Sequence, residues 1–389
     1  MTKPLSSKKP IVKKSESQSF RTLILSWLAS SQITVVCLFL LFILTFWGTI
    51  AQVQQGLYAA QDRFFNSFFF LAAGFIPFPG AQLVLWVLFV NLISMMIMTY
   101  KKYTQWQNAG LLIIHFGLII YFFAAFMIFH VSRESVVRLA EGEATNVSAS
   151  YQDWELAYWT VDSNGHQVTA LDAKDFKPGL QVPFANSDFT LTIKEFYLNC
   201  DAFSNSSSEK DPSIINVSGI TLLTEKPIDK EKEQNVRGGI FDLQANHKSY
   251  SLILYGDESQ ATPVSISGKN YYFILRHIRF PLPFTIRLDH FKAEFHTGTD
   301  MAKSFESLVT ITTGSLERQV RIYMNNPLRY KDYTVYQASY DTDNMGRHYS
   351  TLAVVKNYAR VLPYIGCFFV FFGLALHFLI QAFMAKAKT

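Results

Sequence analysis

The sequence predicts a membrane protein built from four transmembrane α-helices and one large extracytoplasmic all-β, sandwich-like domain between helices 3 and 4. Three observations carry that expectation. Apolar runs without Asp, Glu, Lys or Arg recur at residues 33–51, 81–100, 109–131 and 361–384, each about the length that crosses a hydrocarbon core of ~30 Å as a helix. The long interval between the third and fourth runs instead shows short alternating or β-branched stretches separated by turn residues. Finally, 49% of the 389 residues are hydrophobic and 15% aromatic, too apolar for an ordinary soluble chain.

In chain order, residues 1–32 carry Lys3, Lys8, Lys9, Lys13, Lys14 and Arg21 against a single acid, Glu16, and read as a disordered basic arm on the cytoplasmic side. The run at 33–51 ends in WGTIAQ and lacks the small-residue cleavage site of a signal peptide, so it reads as a retained anchor. Residues 56–76 form an aromatic interfacial segment, with Phe64, Phe65, Phe68, Phe69 and Phe70 beside Asp62 and Arg63. Pro77, Pro79 and Gly80 then break it. The run at 81–100 has Asn91 as its strongly polar residue and is followed by Lys101 and Lys102. A tail at 385–389 closes the chain.

Basic residues in short loops mark the cytoplasmic side. The arm, Lys101 with Lys102, and Lys386 with Lys388 share one side if the four helices alternate. Both termini are then cytoplasmic and residues 132–360 lie outside. FTLTIKEFYL, SYSLILYG, KNYYFILRHI and YTVYQASY are among the strand-like stretches of this outer domain, and the charged interval from Lys210 to Glu233 is expected to include a mobile loop. The net charge of +5 is spread over the arm and loops, which argues against nucleic acid as a partner and for membrane lipids. Cys37, Cys200 and Cys367 form no CxxC or CxxCH, so a thiol oxidoreductase or a chain carrying its own covalent haem is disfavoured. No P-loop, dinucleotide fingerprint or Ser/His/Asp constellation supports an independent enzyme.

Within the run at 109–131 stands His115. An ionisable side chain there costs a few kcal/mol unless it is neutral and partnered, so it marks a functional site. The alternative is a packing histidine bonded to a backbone carbonyl or to Asn91.

The order of parts and several local motifs resemble the ResB (CcsB) family of cytochrome c biogenesis proteins. The motifs are WGTIAQ, LYAAQDRFF, PGAQLVLWVLFVNL, IIHFGLIIYF with EGE after it, PFTIRLDHFKAEFHTGTDMAKSFESLVTI, MNNPLRYKDYTVYQASYD and PYIGCFFVFFGLALHF. Asp332 stands where that family commonly has glycine. The resemblance implies a subunit of the system II haem-attachment complex, not catalytic alone, in the inner (cytoplasmic) membrane with a periplasmic domain. It also implies a ResC (CcsA) partner bearing a tryptophan-rich WWD segment, an apocytochrome c substrate, and haem b that is transported or transiently bound. This chain has no such WWD segment.

On that resemblance His115, about six residues or ~9 Å inside its helix, is the candidate axial ligand of haem iron. His377, counted from the inner end of the last helix, is expected at comparable depth and is a weaker candidate. His130 at the end of the third helix and His348 shortly before the fourth are a candidate outer pair. His277, His290 and His296 show no zinc spacing. Arg133, Arg138, Arg347 and Arg360 are placed at the outer boundary, to meet haem propionates or lipid phosphates. A non-haem structural assembly factor and a membrane-anchored binding module are the competing readings.

Overall fold

The computed structural model describes residues 20–98, 105–162, 165–166, 168–182, 189–204, 214–245, 248–298, 302–343 and 346–386. Lys3, Lys8, Lys9, Lys13, Lys14, Glu16, Lys101, Lys102 and Lys388 lie outside the described residues. The chain divides into two compact units: a helical one from Met1–Gln54, Ala59–Phe126 and Val361–Thr389, and a β-rich one from Gln55–Tyr58 and Met127–Arg360.

Among the described residues four helices are long and apolar enough to cross a membrane: Ser31–Gln55, Ala81–Met98, the helix reaching Val131, and Leu362–Lys386. The third is regular over Ala109–Val131, as the apolar run indicates. The first extends past its apolar run at both ends because Ser31, Gln52 and Gln55, though polar, are compatible with helical backbone. Before it, within the stretch read as a basic arm, Phe20–Leu28 is also helical. Phe20, Leu23, Ile24 and Trp27 repeat there at i, i+3, i+4, i+7, the spacing of one helix face.

Asn91 explains how this short helix is held. Its amide donates to the Leu28 carbonyl at 2.6 Å and the Ser30 carbonyl at 2.9 Å, and its Oδ1 accepts from Thr34 at 2.6 Å. The polar residue of the second apolar helix thus satisfies the turn between the two helices before it, where backbone carbonyls lack helical partners.

The aromatic segment folds against the first helix. A turn of π-helix, Gln61–Phe65, leads to a hairpin, Phe69–Ala72 with Ile76–Pro79, closed through Ala73 and Gly74, both at positive φ. Trp47 is ringed by Phe64, Phe70 and Phe78 at centroid distances of 5.5, 5.7 and 5.9 Å. Gly48 admits the Phe65 ring, which a Cβ would meet at 2.8 Å.

The third and fourth helices meet along glycines spaced by seven. A Cβ on Gly110 would lie 2.5 Å from the His377 amide nitrogen, and one on Gly117 would lie 2.8 Å from the Gly366 carbonyl. Gly366 and Gly373 return the contact from the other side, against Gly117 and Gly110. Such small-residue seams let two backbones approach closely where lipid removes the hydrophobic driving force.

The β unit is organised by two long strands, Ala144–Asp162 and Lys269–Phe295, paired antiparallel at the middle of an 11-stranded sheet among the described residues. One half of this pair packs on a second sheet containing Phe189–Tyr197, Gly238–Ala245 and Lys248–Tyr255. Between them lies a sandwich core with Leu156, Leu191, Phe241, Leu243, Leu252 and Phe273. The other half curves with Arg133–Ala140, His348–Lys356, Tyr333–Thr342 and Ala302–Thr313 around a separate core of Ile286, Leu288, Val309, Ile322, Val335 and Leu352. Register shifts between His277 and Arg279 and between Pro281 and Ile286 bend the long strand where it passes from one core to the other.

Of the interval expected to include a mobile loop, residues 210–213 lie outside the described residues and 214–233 are described. The described part pairs at Ile214–Ile215 and Leu222–Glu225, and the loop after it, to Asn235, clasps the segment Gln55–Tyr58. The Tyr58 hydroxyl donates to Glu233 at 3.2 Å, Lys232 lies 5.7 Å from the Tyr58 ring centroid, and Gly56, at φ 84°, has no room for a Cβ beside the Lys230 carbonyl.

Gly117→Leu is expected to separate the glycine seam and cost about 1–3 kcal/mol through overpacking. Thermal melting of the purified chain in detergent measures this; an unchanged midpoint would remove the seam as a determinant of packing.

Candidate functional site

The third apolar helix has two working faces. Gly110, Gly117 and the fully buried Ala124 fall on one stripe, turned to the fourth helix. Phe122 and Phe126 fall on another and pack on Phe89 and Trp86 of the second helix, at centroid distances of 5.7 and 5.9 Å. His115 precedes Phe122 by seven residues and Phe126 by eleven, so helical periodicity puts it on the stripe of these two rings. The antiparallel order of the ring pairs, carried two turns further, sets His115 level with Met96 and Ile97.

The His115 ring is half-buried, and its Nδ1 lies 2.7 Å from the Leu111 carbonyl oxygen. A carbonyl only accepts, so Nδ1 carries the proton and donates. The neutral imidazole then has its lone pair on Nε2. This is the tautomer a metal-ligating histidine needs, fixed in the usual way by a hydrogen bond from the other ring nitrogen. Asn91, the other partner considered for His115, is engaged with Leu28, Ser30 and Thr34 instead. The donor chemistry and apolar surroundings of His115 fit an axial ligand of haem iron.

His377 is placed differently. Its backbone abuts Gly110, five residues or about 7.5 Å along the helix from His115. Counting from Gly366 and Gly373 puts its side chain on the glycine seam, whereas His115 lies on the far side of the third helix. The expectation of comparable depth is therefore corrected: the two imidazoles neither share a level nor face one another. The His377 Nδ1 is buried and has no hydrogen-bond partner, but the backbone-to-backbone seam leaves no gap for a macrocycle there.

The outer histidines are also separated. His130 is exposed in the last turn of its helix, with its ring 5.0 Å from that of Phe129. His348 accompanies Thr342 at 3.0 Å at the start of strand His348–Lys356. Because Lys356 pairs with Arg133 and Tyr349 with Ala140, His348 sits at the end of this strand pair remote from Arg133, roughly 25 Å away at ~3.4 Å per residue. His130 is three residues from Arg133. They are not a pair that brackets one ligand. Arg138 and Arg347 stand toward that remote end as well, bonded to Asp341 and Asp343 and lying over Tyr349, so only Arg133 and Arg360 lie next to helix ends.

The remaining strand histidines have structural surroundings. His290 Nδ1 meets Glu141 at 2.9 Å, and His296 lies just past the end of strand Lys269–Phe295. His277 lies against Trp154 at 4.0 Å, with a buried, unpartnered Nδ1. Among the described residues no three His, Cys, Asp or Glu side chains group as a metal site. Burial pushes the Cys200 thiol up to about 11, making it an unreactive core residue. Burial and the nearby Glu233 carboxylate raise Tyr151 to about 12.

The ResB-like family model matches residues 238–348, within the β unit. No curated protein matches the chain.

Burial holds the pKa of His277 below the ordinary histidine value near 6.5. As pH falls through that value the unfolded chain takes up a proton that the folded chain refuses, so this stability is present above it and lost below. Denaturant midpoints are expected to drop between pH 7 and pH 5, with a smaller drop in His277→Phe; equal drops would remove the residue from the acid response.

Proposed function

We propose that this chain, whose residues 238–348 match the ResB-like family model, is a membrane subunit of cytochrome c biogenesis, the ResB (CcsB) half of a system II haem-attachment complex. The four apolar helices serve as inner-membrane spans in this reading. The basic residues of the arm, Lys101, Lys102, Lys386 and Lys388 support cytoplasmic termini and a periplasmic β unit.

His115 carries the reading. Its Nδ1–H to Leu111 bond prepares Nε2 to hold the iron of haem b, the cargo, in the inward half of the third helix. Iron coordination supplies a defined resting position for haem within the bilayer. The family resemblance assigns the second axial ligand to the ResC (CcsA) partner, and His377, turned to the glycine seam, is not used in this reading. The periplasmic β unit then helps hold apocytochrome c while the partner's WWD segment presents the haem vinyl groups to the CxxCH thiols. Bond formation belongs to the assembled complex, and this chain contributes no catalytic residue of its own. His130 and His348, being far apart, do not together form an outer haem position.

Co-expression with the WWD partner and purification of the complex test the proposal by visible spectroscopy. Wild type is expected to carry a low-spin haem b spectrum, His115→Ala to lose most of it together with cytochrome c maturation, and added imidazole to restore part of both. Undiminished haem and maturation in His115→Ala would overturn the ligand role and favour a structural assembly factor.

A further inference from the structure

Strand Arg133–Ala140 begins two residues beyond the third apolar helix, and strand His348–Lys356 ends six residues before the fourth. At this end of the β unit Arg133 and Lys356 stand directly opposite one another, with Tyr333 opposite Lys356 on the next strand. Directly opposed residues of an antiparallel pair share a face with Cβ atoms about 5 Å apart, and like charges so placed repel. The Arg133 guanidinium lies 3.9 Å above the Phe280 ring, while the Lys356 ammonium is 5.3 Å from the Tyr333 ring and 5.0 Å from that of Tyr358. These rings form the walls of the cluster and bring no full negative charge.

A third cation is added by the turn that follows. Asn357 donates its amide to the Asp332 carbonyl and accepts at Oδ1 from the Ala359 amide, both at 2.8 Å. Arg360 follows this turn, four residues after Lys356. The Arg360 Nη1 is buried and has no hydrogen-bond partner. Among the described residues none of the three cations is in an ion pair. Glu134, the adjacent acid, alternates to the other face of its strand, where its charge acts on Tyr58 and Tyr151.

An opposed cation pair, followed four residues on by a guanidinium whose buried Nη1 lacks a partner, is costly unless an acceptor is supplied from outside. We propose that Arg133, Lys356 and Arg360 form a binding site for the oxyanion head of a membrane amphiphile, either a phospholipid phosphate or a propionate carboxylate of haem. The planar guanidinium fork matches both groups, and the ring walls accept the apolar part next to the charge. The membrane setting, and the propionate source in particular, rest on the function proposed above.

The full chain, purified in detergent with Arg133→Gln, Lys356→Gln and Arg360→Gln singly and combined, distinguishes the sources. Phosphatidylglycerol retention is read by native mass spectrometry, and affinities for haem b and for haem b dimethyl ester by absorbance titration. If the head is a phosphate, the triple variant retains several-fold less phosphatidylglycerol. If it is a propionate, haem affinity falls by about tenfold, the scale of one lost charge-assisted hydrogen bond, while ester affinity is unchanged. Arg360→Lys, which keeps the charge, is expected to restore part of either loss, separating anion binding from misfolding. Wild-type retention of the lipid together with equal effects on haem and its ester would overturn the site. The His115 spectrum tests haem ligation separately, so failure of one leaves the other standing.

Discussion

Apolar helices offer almost no polar partners, so each polar side chain on them must be satisfied from nearby backbone or it costs several kcal/mol. Several polar side chains of the helices obey this, and His377 Nδ1, buried without a partner, is an exception. Thr45 and Thr49 bond to carbonyls four residues back, and Ser132 bonds to Ile128 just past the third helix. Asn91 satisfies the turn after Phe20–Leu28. His115 follows the same rule by donating Nδ1–H to Leu111, and the chemistry of the site follows, because that bond assigns the lone pair to Nε2.

The third helix divides its surface between two tasks. Glycines at seven-residue spacing bring the fourth helix to backbone contact, while Phe122, Phe126 and His115 share the stripe toward the second helix. This division separates His115 from His377, although both are imidazoles in apolar helices. A ligand needs an approachable flank, and the glycine seam closes the flank at His377.

In the β unit, the long strand Lys269–Phe295 contributes to both cores, so the sandwich half and the curved half are coupled through its backbone. The strand pair Arg133–Ala140 with His348–Lys356 sets the positions of the charged groups. It collects Arg133 and Lys356 beside the helix ends and carries Arg138, Arg347 and His348 away from them. Nearness in sequence to the fourth helix was a poor guide for His348, since an extended strand covers about 3.4 Å per residue.

The amino-acid sequence by itself determined the four apolar helices, the third to its end residues, and the β-rich interval from 132 to 360, because hydropathy over some twenty residues and alternation at period two are local signals. It singled out His115 for the same reason: one ionisable group in an otherwise apolar run needs no neighbours to be conspicuous. Only the tertiary structure decided that Asn91 serves the turn before the first apolar helix, that His377 faces a seam, and that His130 and His348 are apart. Those facts depend on helix facing and strand register, which arise from packing between residues distant in the chain. The cluster of Arg133, Lys356 and Arg360 was divided in sequence by more than two hundred residues; antiparallel pairing brings Arg133 and Lys356 face to face, and Arg360 follows four residues after Lys356.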